Sequence, residues 1–302
     1  EEIFCLRSGA NGKAKEIGYF RPELKPTGEL RAGEIGYIAT GVKEVEKVRV
    51  GETITKDESL KPLPGYQEVK PFVFLSLYPE NSGNFDLLKR ALRELKLNDA
   101  SLFFQLEKKP VLGRGFLCGF LGLLHAEITA ERLKREFSLD LVISAPSVVY
   151  KVKLKNGEEK NIYSPTDWPD PANIEKSFEP YVALEVMTPL RYLSKVSELI
   201  KKKGGRIQNT IFVSNERLIL KGEIPLREIV TDFYAKLKSL SQGFASIGYQ
   251  FIGYREVDLA KVDIVIAGKE EPSLAMILPR QKAEKESRAF LLKLKKVIPP
   301  QA

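Results

Sequence analysis

The spacing of apolar positions changes from one segment of the chain to the next, and this spacing predicts the secondary structure. Residues 1–57 hold short apolar runs broken by glycine, such as EIFCLRSG and GEIGYIATGV, and none of these runs has a helical period. Short strands at close spacing with glycine turns are typical of a small β-barrel or sandwich. We predict a partial all-β barrel over residues 1–62, followed by a proline-rich linking stretch.

Residues 63–162 are predicted to follow a β-α-β-β-α-β order. FVFLSLYP (72–79) is an apolar run typical of a buried strand, and the next segment places Phe85, Leu88, Leu92 and Leu95 on one helix face. SLFFQLE and RGFLCGF form a predicted hairpin, a helix ends in ERLKREF, and DLVISAPSVVYKVKL supplies the last strand. The Asn-Gly pair at 156–157 predicts a tight hairpin that extends this strand. The order is that of a ferredoxin-like α+β domain.

The same order recurs over residues 179–260, after a predicted linker at 163–178. YVALEVMTP (181–189) is the first strand, and the helix after it ends at Gly204. The inward positions of the two predicted helices are Leu193, Val196, Ile200, Ile229, Phe233, Leu237 and Leu240. We predict a second ferredoxin-like domain here. Residues 261–302 are predicted to start a further α+β domain with two strands and a basic amphipathic helix. The chain is therefore predicted to be a multidomain protein.

Composition is that of an ordinary globular protein, with 43% hydrophobic and 29% charged residues. The 48 Lys and Arg residues outnumber the 40 Asp and Glu residues, which indicates a polyanionic partner but does not by itself decide for nucleic acid. Cys5 and Cys118 lie far apart and favour a reducing, cytosolic setting. The single histidine and the lack of a CxxC motif argue against a zinc site. The longest apolar run is too short to span a bilayer.

Two segments bear a partial likeness to nucleotide-binding or RNA-binding motifs. GANGKA (9–14) contains the Gly-Lys pair of a phosphate loop, but Arg7 and Ala14 stand where that motif requires glycine and a hydroxyl residue. We predict an Asn-Gly hairpin turn there and no GTP or ATP binding by this route. RGFLCGF occupies the strand that carries the main RNA-binding run of an RNA-recognition motif, yet Leu117 and Cys118 replace a small residue and a stacking ring. A sequence-specific RNA binder would need exposed aromatic rings on the sheet.

His125, the only histidine of the chain, is a candidate general base that lacks a visible partner. Helical spacing predicts one apolar stripe formed by Leu117, Leu121, Leu124 and Ile128. His125 falls on the flank of this stripe, one heptad from Cys118 and too distant for a direct thiolate–imidazole bond. We therefore predict a structural histidine that caps an element or bridges to its neighbour.

Gly119 and Gly122 mark the predicted turn from strand to helix. Glycine at such a turn provides either a positive φ or a close backbone approach. The free N–H groups at the start of the helix could also bind an anion. Packing alone explains both glycines equally well.

Basic side chains concentrate in three segments: KKKGGR (201–206), the predicted hairpin that carries Lys151, Lys153, Lys155 and Lys160, and the helix over 280–296. Each one by itself is explained most simply as a solvated surface, and in KKKGGR the lysines complement the C-terminus of a helix. Together they favour a large polyanion. The predicted RNA contacts are Lys201, Lys202, Lys203, Arg206, Arg280 and Lys282.

Several long motifs resemble one family. CGFLGLLHAEITAERLKREF (118–137), preceded by LNDASLFF (97–104), is similar to the signature of the LepA or elongation factor 4 family. APSVVYKV (145–152), GGRIQN (204–209), residues 224–256, KVDIVIAG (261–268) and IPPQ (298–301) extend the resemblance over essentially the whole chain. PRQKA (279–283) departs from an HRDKA-like run of the family, which puts a histidine role at that point in doubt.

The resemblance implies a translational GTPase with an N-terminal GTPase domain, a β-barrel, two ferredoxin-like domains and a C-terminal domain. The two ferredoxin-like domains would correspond to domains III and V of elongation factor G. The first residue is Glu rather than Met, and we expect a piece of a longer protein. GTP and Mg²⁺ would then bind in the missing GTPase domain. We accordingly expect no cofactor, metal ligand or catalytic residue here, and His125 is not the switch histidine of the family.

The resemblance also implies partners and a location. Family members bind the ribosome, with its rRNA, ribosomal proteins and tRNA, and are credited with remodelling the ribosome–tRNA complex, including a proposed back-translocation that supports fidelity under stress. We expect a cytoplasmic monomer that contacts its own GTPase domain and can associate peripherally with the inner membrane. The alternative is a small-molecule-binding regulatory or enzymatic module built on paired ferredoxin-like domains. Converging carboxylates in a closed apolar pocket would favour that alternative.

Overall fold

A computed structural model describes residues 1–42, 47–48, 50–65, 71–109 and 112–297. The chain divides into two compact units, the first made of Glu1–Lys70 and Lys89–Phe103, and the second of Pro71–Leu88 and Phe104–Ala302. The predicted hairpin connection at 110–111 and the end of the tail at 298–302 lie outside the described residues. Among the described residues, no helix has the length and hydropathy needed to cross a membrane.

The N-terminal part of the first unit is built from short antiparallel strands. They are β1 (Glu2–Cys5), β2 (Ala10–Lys13), β3 (Glu16–Arg21), β4 (Glu23–Thr27), β5 (Tyr37–Ala39) and β6 (Ile54–Thr55). The strands form two three-stranded sheets in the orders β2-β1-β6 and β4-β3-β5. The buried hydrophobic residues of β1 and β2 are Ile3, Cys5 and Ala10.

The turn between β1 and β2 differs from the predicted Asn-Gly turn. Asn11 and Gly12 lie inside β2, in register with Phe4 and Ile3. The chain reverses earlier, where Gly9 takes a left-handed φ of 67° that favours glycine. Gly12 is required for another reason, because a Cβ there would lie 2.6 Å from the backbone oxygen of Thr40.

Apart from Phe103, the strands of the next sheet lie in the second unit, and its elements follow the predicted β-α-β-β-α-β order; the first helix belongs to the first unit from Lys89 onward. The elements are β7 (Val73–Pro79), α1 (Phe85–Asn98), β8 (Phe103–Lys109), β9 (Gly113–Phe120), α2 (Leu123–Phe137), β10 (Leu141–Ile143) and β11 (Ser147–Val148). The sheet order is β10-β7-β9-β8, with β11 also paired to β7. On α1 the four predicted inward residues are buried.

A larger sheet contains the second repeat of this order. Its strands are β12 (Tyr150–Leu154), β13 (Glu159–Ile162), β14 (Ile174–Pro189), β15 (Arg206–Phe212), β16 (Arg217–Pro225) and β17 (Ser246–Glu256). They are arranged β13-β12-β14-β16-β15, and β17 pairs with β14. The core strands β17-β14-β16-β15 therefore have the same fourth-first-third-second order as β10-β7-β9-β8.

The hairpin β12–β13 departs from the predicted boundary at residue 162. It was predicted to extend the last strand of the first domain, but β12 pairs with the first part of β14 instead. Tyr150, Val152 and Leu154 alternate as buried positions along β12 and join the core of the larger sheet. β14 already begins at Ile174, inside the predicted linker at 163–178, and its residues 174–178 pair with β12.

The helices of the larger sheet agree with the predicted faces except at one end. The helical segments are α3 (Leu193–Lys202), α4 (Leu226–Glu228), a π-helical turn (Ile229–Phe233) and α5 (Tyr234–Leu240). Val196, Ile200, Phe233 and Leu237 are buried, but Leu240 is 36% exposed, contrary to the prediction. Leu240 is the last residue of α5, where the helix no longer faces the sheet.

The tail contains β18 (Leu259–Val262), β19 (Val265–Ile266), β20 (Lys269–Glu270), β21 (Met276–Pro279) and α6 (Arg280–Val297). β18 pairs with β21, and β19 pairs with β20. Leu259 and Ile277 of this pair belong to the same hydrophobic core as Val73, Val148 and the larger sheet. Both sheets of the second unit and the start of the tail therefore share buried side chains.

Candidate polyanion-binding surface

Helix α3 ends in a lysine run at the edge of the larger sheet. The side chains of Lys201 and Lys202 are exposed, and Gly204 turns the chain out of the helix with a φ of 78°. Arg206 then opens β15, which is the edge strand, and is also exposed. In the described part of the chain no ion pair is found for these three cations. We call Lys201, Lys202 and Arg206 the basic edge.

Lys203 and Lys282 have partners inside the protein. Lys203 Nζ lies 2.8 Å from Glu228 Oε2 and also pairs with Asp232, while Lys282 Nζ lies 3.1 Å from Glu228 Oε1. The structure thus brings two of the predicted RNA contacts together on one carboxylate. Both ammonium groups would have to leave these partners in order to reach a phosphate.

Arg280 and the other basic segments are also partly neutralised. Arg280 Nε lies 3.0 Å from Asp258 Oδ2. On the hairpin, Lys153 pairs with Glu175 at 3.0 Å and Lys151 lies 4.4 Å from the ring centre of Tyr254. The internal pairs leave the basic edge as the stronger candidate for direct phosphate contact.

A buried charge cluster beside this surface was not predicted from the sequence. Arg227 and Glu228 are 8% and 2% exposed, with Arg227 Nη2 2.7 Å from Glu228 Oε1. Arg227 Nη1 also lies 2.8 Å from Glu286 Oε2 on α6. Burial opposes ionisation of Glu228, but Arg227, Lys203 and Lys282 hold its pKa below the ordinary value. The sequence feature that could have indicated this cluster is the charged pair Arg227–Glu228, which stands between apolar Leu226 and Ile229.

Glu179 on β14 is the other buried acid of this region. It is 2% exposed, and its Oε2 has no hydrogen-bond partner among the described residues. Burial raises the pKa of Glu179 to about 7, although Arg227 and Lys282 act in the opposite direction. A carboxyl group of this kind changes its charge near neutral pH.

His125 makes local contacts at the start of α2. Its Nδ1 accepts the backbone N–H of Leu121 at 3.1 Å, and its ring meets Phe120 edge-on with 5.2 Å between ring centres. The Leu121 N–H precedes the helix, where backbone donors have no intrahelical partner. These contacts give His125 a structural part in the turn.

The apolar stripe predicted for this segment is wrong. Leu124 and Ile128 are 68% and 51% exposed, whereas Ala126, Thr129 and Leu133 form the buried face of α2. The reason is the strand end, because β9 continues to Phe120 and the helix starts only at Leu123. Helical spacing counted from residue 117 therefore selects the wrong face.

Gly119 and Gly122 are sites of close approach. Gly119 lies within β9, and a Cβ there would be 2.8 Å from Phe74 Cε1 and 2.9 Å from the Cβ of Pro71. Gly122 has an extended φ of 167°, and its Cβ would be 2.9 Å from the hydroxyl of Tyr249. Neither glycine has the left-handed φ that was one of the predicted explanations.

The strand RGFLCGF offers no stacking platform for bases. Phe116, Cys118 and Phe120 are at most 3% exposed. The ring of Phe116 stacks on Phe85 with 5.2 Å between centres. Base stacking requires rings that are open to solvent. This strand therefore does not support the sequence-specific RNA binder.

Comparison with known proteins decides the family. A family model described as "Elongation factor G C-terminus" matches residues 176–265. In an alignment of 306 positions that covers 100% of the chain, the chain is 45% identical to elongation factor 4 of Thermus thermophilus. It is 43% identical to elongation factor 4 of Oleidesulfovibrio alaskensis over 303 residues, and 46% identical to that of Thermosynechococcus vestitus over 301 residues.

The chain belongs to the elongation factor 4 family. It spans about half the length of these curated relatives, since the alignments cover 50% of each. A crystal structure of a Thermus thermophilus protein aligns with a TM-score of 0.49 at 18% identity, covering 85% of this chain and 51% of that chain.

Within this member of the elongation factor 4 family, the basic edge and the residues Glu179, Arg227 and Glu228 all fall in the segment that matches the elongation factor G C-terminus. Helix α6, with Lys282 and Glu286, follows that segment. The charge cluster therefore joins the matched segment to the tail.

Two cavities in the described part of this elongation factor 4 relative offer little to a small substrate. The first, of about 380 Å³, is lined in part by Glu107 and Lys109, which pair with each other at 3.5 Å. The second, of about 610 Å³, contains Trp168. Four of its five carboxylates pair with lysine or arginine, and the fifth, Asp170, accepts a backbone N–H; the four are Glu175, Glu256, Asp258 and Asp263. Unpaired carboxylates do not converge in either cavity, so the metabolite-binding alternative gains no support.

Proposed function

We propose that this chain is the ribosome-docking part of a translational GTPase of the elongation factor 4 family. It would act on the ribosome–tRNA complex, with rRNA as the main polyanionic partner and the proposed back-translocation as its outcome. The supporting observation is that Lys201, Lys202 and Arg206, which have no ion pair among the described residues, lie on one edge of the segment that resembles the elongation factor G C-terminus. Exposed cations of this kind suit phosphate contacts.

The architecture supports this proposal. Both sheets of the second unit have the fourth-first-third-second strand order with a β-α-β-β-α-β element order. We infer two ferredoxin-like domains, preceded by a partial β-barrel and followed by the start of a family-specific tail. The first ferredoxin-like domain would relay the nucleotide state from the GTPase domain, and the second would dock on rRNA.

GTP hydrolysis is assigned to the other half of the relatives' length. We infer that GTP and Mg²⁺ bind there, and that this chain supplies docking and relay. We further propose that the protein acts in the cytoplasm as a monomer; the two free, buried cysteines Cys5 and Cys118 suit a reducing compartment.

The test is co-sedimentation with ribosomes across a salt series from about 50 mM to about 200 mM. Replacing Lys201, Lys202 and Arg206 by Ala is expected to weaken binding and to reduce the slope of log K against log salt. Each lost phosphate contact should account for about 0.7–0.9 of slope, so the triple change should remove about 2–3.

The matched control replaces three exposed lysines elsewhere, Lys61, Lys238 and Lys269. This control removes the same formal charge. If the basic edge makes direct contacts, the slope of log K against log salt for the control should stay as steep as that of the wild type. An equal loss in both triple variants would mean that only net charge matters. Binding that does not respond to salt would contradict the electrostatic docking proposal altogether.

A further inference from the structure

Three elements meet at the buried charge cluster. Glu179 comes from β14, Arg227 and Glu228 come from α4, and Lys282 and Glu286 come from α6. Two ionic contacts link α6 to this cluster, Arg227 Nη1 to Glu286 Oε2 at 2.8 Å and Lys282 Nζ to Glu228 Oε1 at 3.1 Å, and Arg280 at the start of α6 also pairs with Asp258. No residue of α6 is fully buried, so its attachment combines these ion pairs with half-buried side chains.

The cluster is not fully satisfied. Glu179 Oε2 and Arg227 Nε are buried atoms that lack a hydrogen-bond partner among the described residues. Arginine has five N–H donors in a fixed fork, and this one uses its Nη groups on Glu228 and Glu286. A buried carboxylate without a full set of partners is costly, whereas its neutral form is tolerated. Protonation of Glu179 therefore suits the docked arrangement.

The charges that act on Glu179 come from every element around it. Arg227 and Lys282 favour its ionised form, while Glu228 and Glu286 oppose it. Tyr150 of β12 and Tyr181 of β14 are further titratable groups that interact with Glu179. Desolvation exceeds each of these charge effects. Whatever admits water to Glu179 will therefore favour loss of its proton.

We propose that Glu179 is a proton-operated latch for helix α6: its neutral form keeps α6 docked through Arg227–Glu286 and Lys282–Glu228, and loss of its proton favours release of α6. The direction follows from linkage. In the docked state burial raises the pKa of Glu179 to about 7, whereas a solvated glutamate has its ordinary pKa of 4.5. Rising pH between these values stabilises the open state relative to the docked state.

Release of α6 would change the surface beside the basic edge. Lys282 would leave Glu228, and the guanidinium of Arg227 would lose Glu286. Lys282 lies close to the turn after α3, since a Cβ on Gly204 would be 3.2 Å from its Nζ. The latch would thus control whether Lys282 is held internally or is available to an anion. This inference concerns α6 itself and stands whether or not the chain docks on ribosomes.

Amide hydrogen exchange of α6 tests the latch in the intact chain. Wild type is compared with Glu179→Gln, an uncharged isostere, at the same pH, so that the intrinsic pH dependence of exchange cancels. Between about pH 5.5 and about pH 8.5, the wild-type to variant ratio of exchange rates for residues 280–297 should rise at least tenfold. A ratio that is constant with pH would overturn the proposal.

Two further variants control the comparison. Glu185→Gln changes an exposed carboxylate on the same strand, one that pairs with Lys221, and the ratio of exchange rates should then stay constant with pH. Glu286→Gln removes the partner of Arg227 on α6 and should speed exchange of α6 at both pH values. Unchanged exchange in Glu286→Gln would show that the ion pair does not hold the helix, and would also overturn the proposal.

If Glu179→Gln does not fold, the wild-type protein still decides the matter. Carbon-13 NMR of glutamate-labelled protein follows the carboxyl of Glu179 directly. A midpoint clearly above those of the exposed glutamates, accompanied by faster α6 exchange over the same pH range, is the expected result. Titration of Glu179 together with the exposed glutamates would rule the latch out.

Discussion

At Gly119 a single missing methyl group allows β9 to pack against its neighbours. A Cβ would come within 2.9 Å of both Phe74 and Pro71, closer than ordinary van der Waals contact. We predict that Gly119→Ala lowers the free energy of unfolding by about 1–3 kcal/mol, since inserting atoms into a packed site forces side chains from their rotamers. The denaturation midpoint in urea measures this loss.

Gly248→Ala is the matched control, because a Cβ on Gly248 meets nothing within 4 Å. This substitution should leave the urea midpoint unchanged or raise it slightly, since alanine restricts the unfolded chain. Equal losses in the two variants would mean that glycine is needed for backbone freedom and not for close approach.

The lysine run 201–203 shows which residue properties sequence reasoning can reach. Its position at the end of a helix was predictable from the apolar spacing of α3 and from Gly204. That Lys203 differs from its two neighbours was not, because its partner Glu228 stands 25 residues further along the chain. The buried state of Glu179 was equally hidden, since the charged residues that act on it lie on α4 and α6, far along the chain.

Helix α2 shows how one element can be predicted in kind and mistaken in orientation. Its existence followed from its composition, but its inward face depends on where β9 ends, which the apolar run through Phe120 and Leu123 conceals. The same limit applies to the hairpin β12–β13. Its turn was evident from Asn156 and Gly157, whereas its attachment to β14 depends on a pairing between distant segments.

The observed face of α2 leads to a direct test. Leu133 is fully buried, so Leu133→Ala should lower the free energy of unfolding by about 2–5 kcal/mol. Ile128 is 51% exposed, so Ile128→Ala should change that free energy by less than about 0.5 kcal/mol. Urea denaturation of both variants distinguishes this face from the predicted stripe, for which Ile128→Ala would be the costly change.

For the whole molecule, the continuous core of the second unit matters more than the number of predicted domains. Val73 and Val148 belong to the smaller sheet, yet they share a core with Val182 and Val186 of the larger sheet and with Ile277 of the tail. The sequence repeat suggested two separate domains. A core that spans both sheets predicts that they unfold together.

Trp168, the only tryptophan, packs against this core and provides a single fluorescent reporter. Val73→Ala removes two buried methyl groups in the smaller sheet and should lower the stability reported by Trp168 by about 2 kcal/mol. Val142→Ala, at a position 41% exposed in the same sheet, should leave the Trp168 transition in place. The sheets would unfold separately if Val73→Ala left the Trp168 fluorescence transition in place while the far-ultraviolet circular dichroism was lost at a lower denaturant concentration. Coincident shifts would mean that a change at one sheet is felt at the other, as relay through this part of the protein requires.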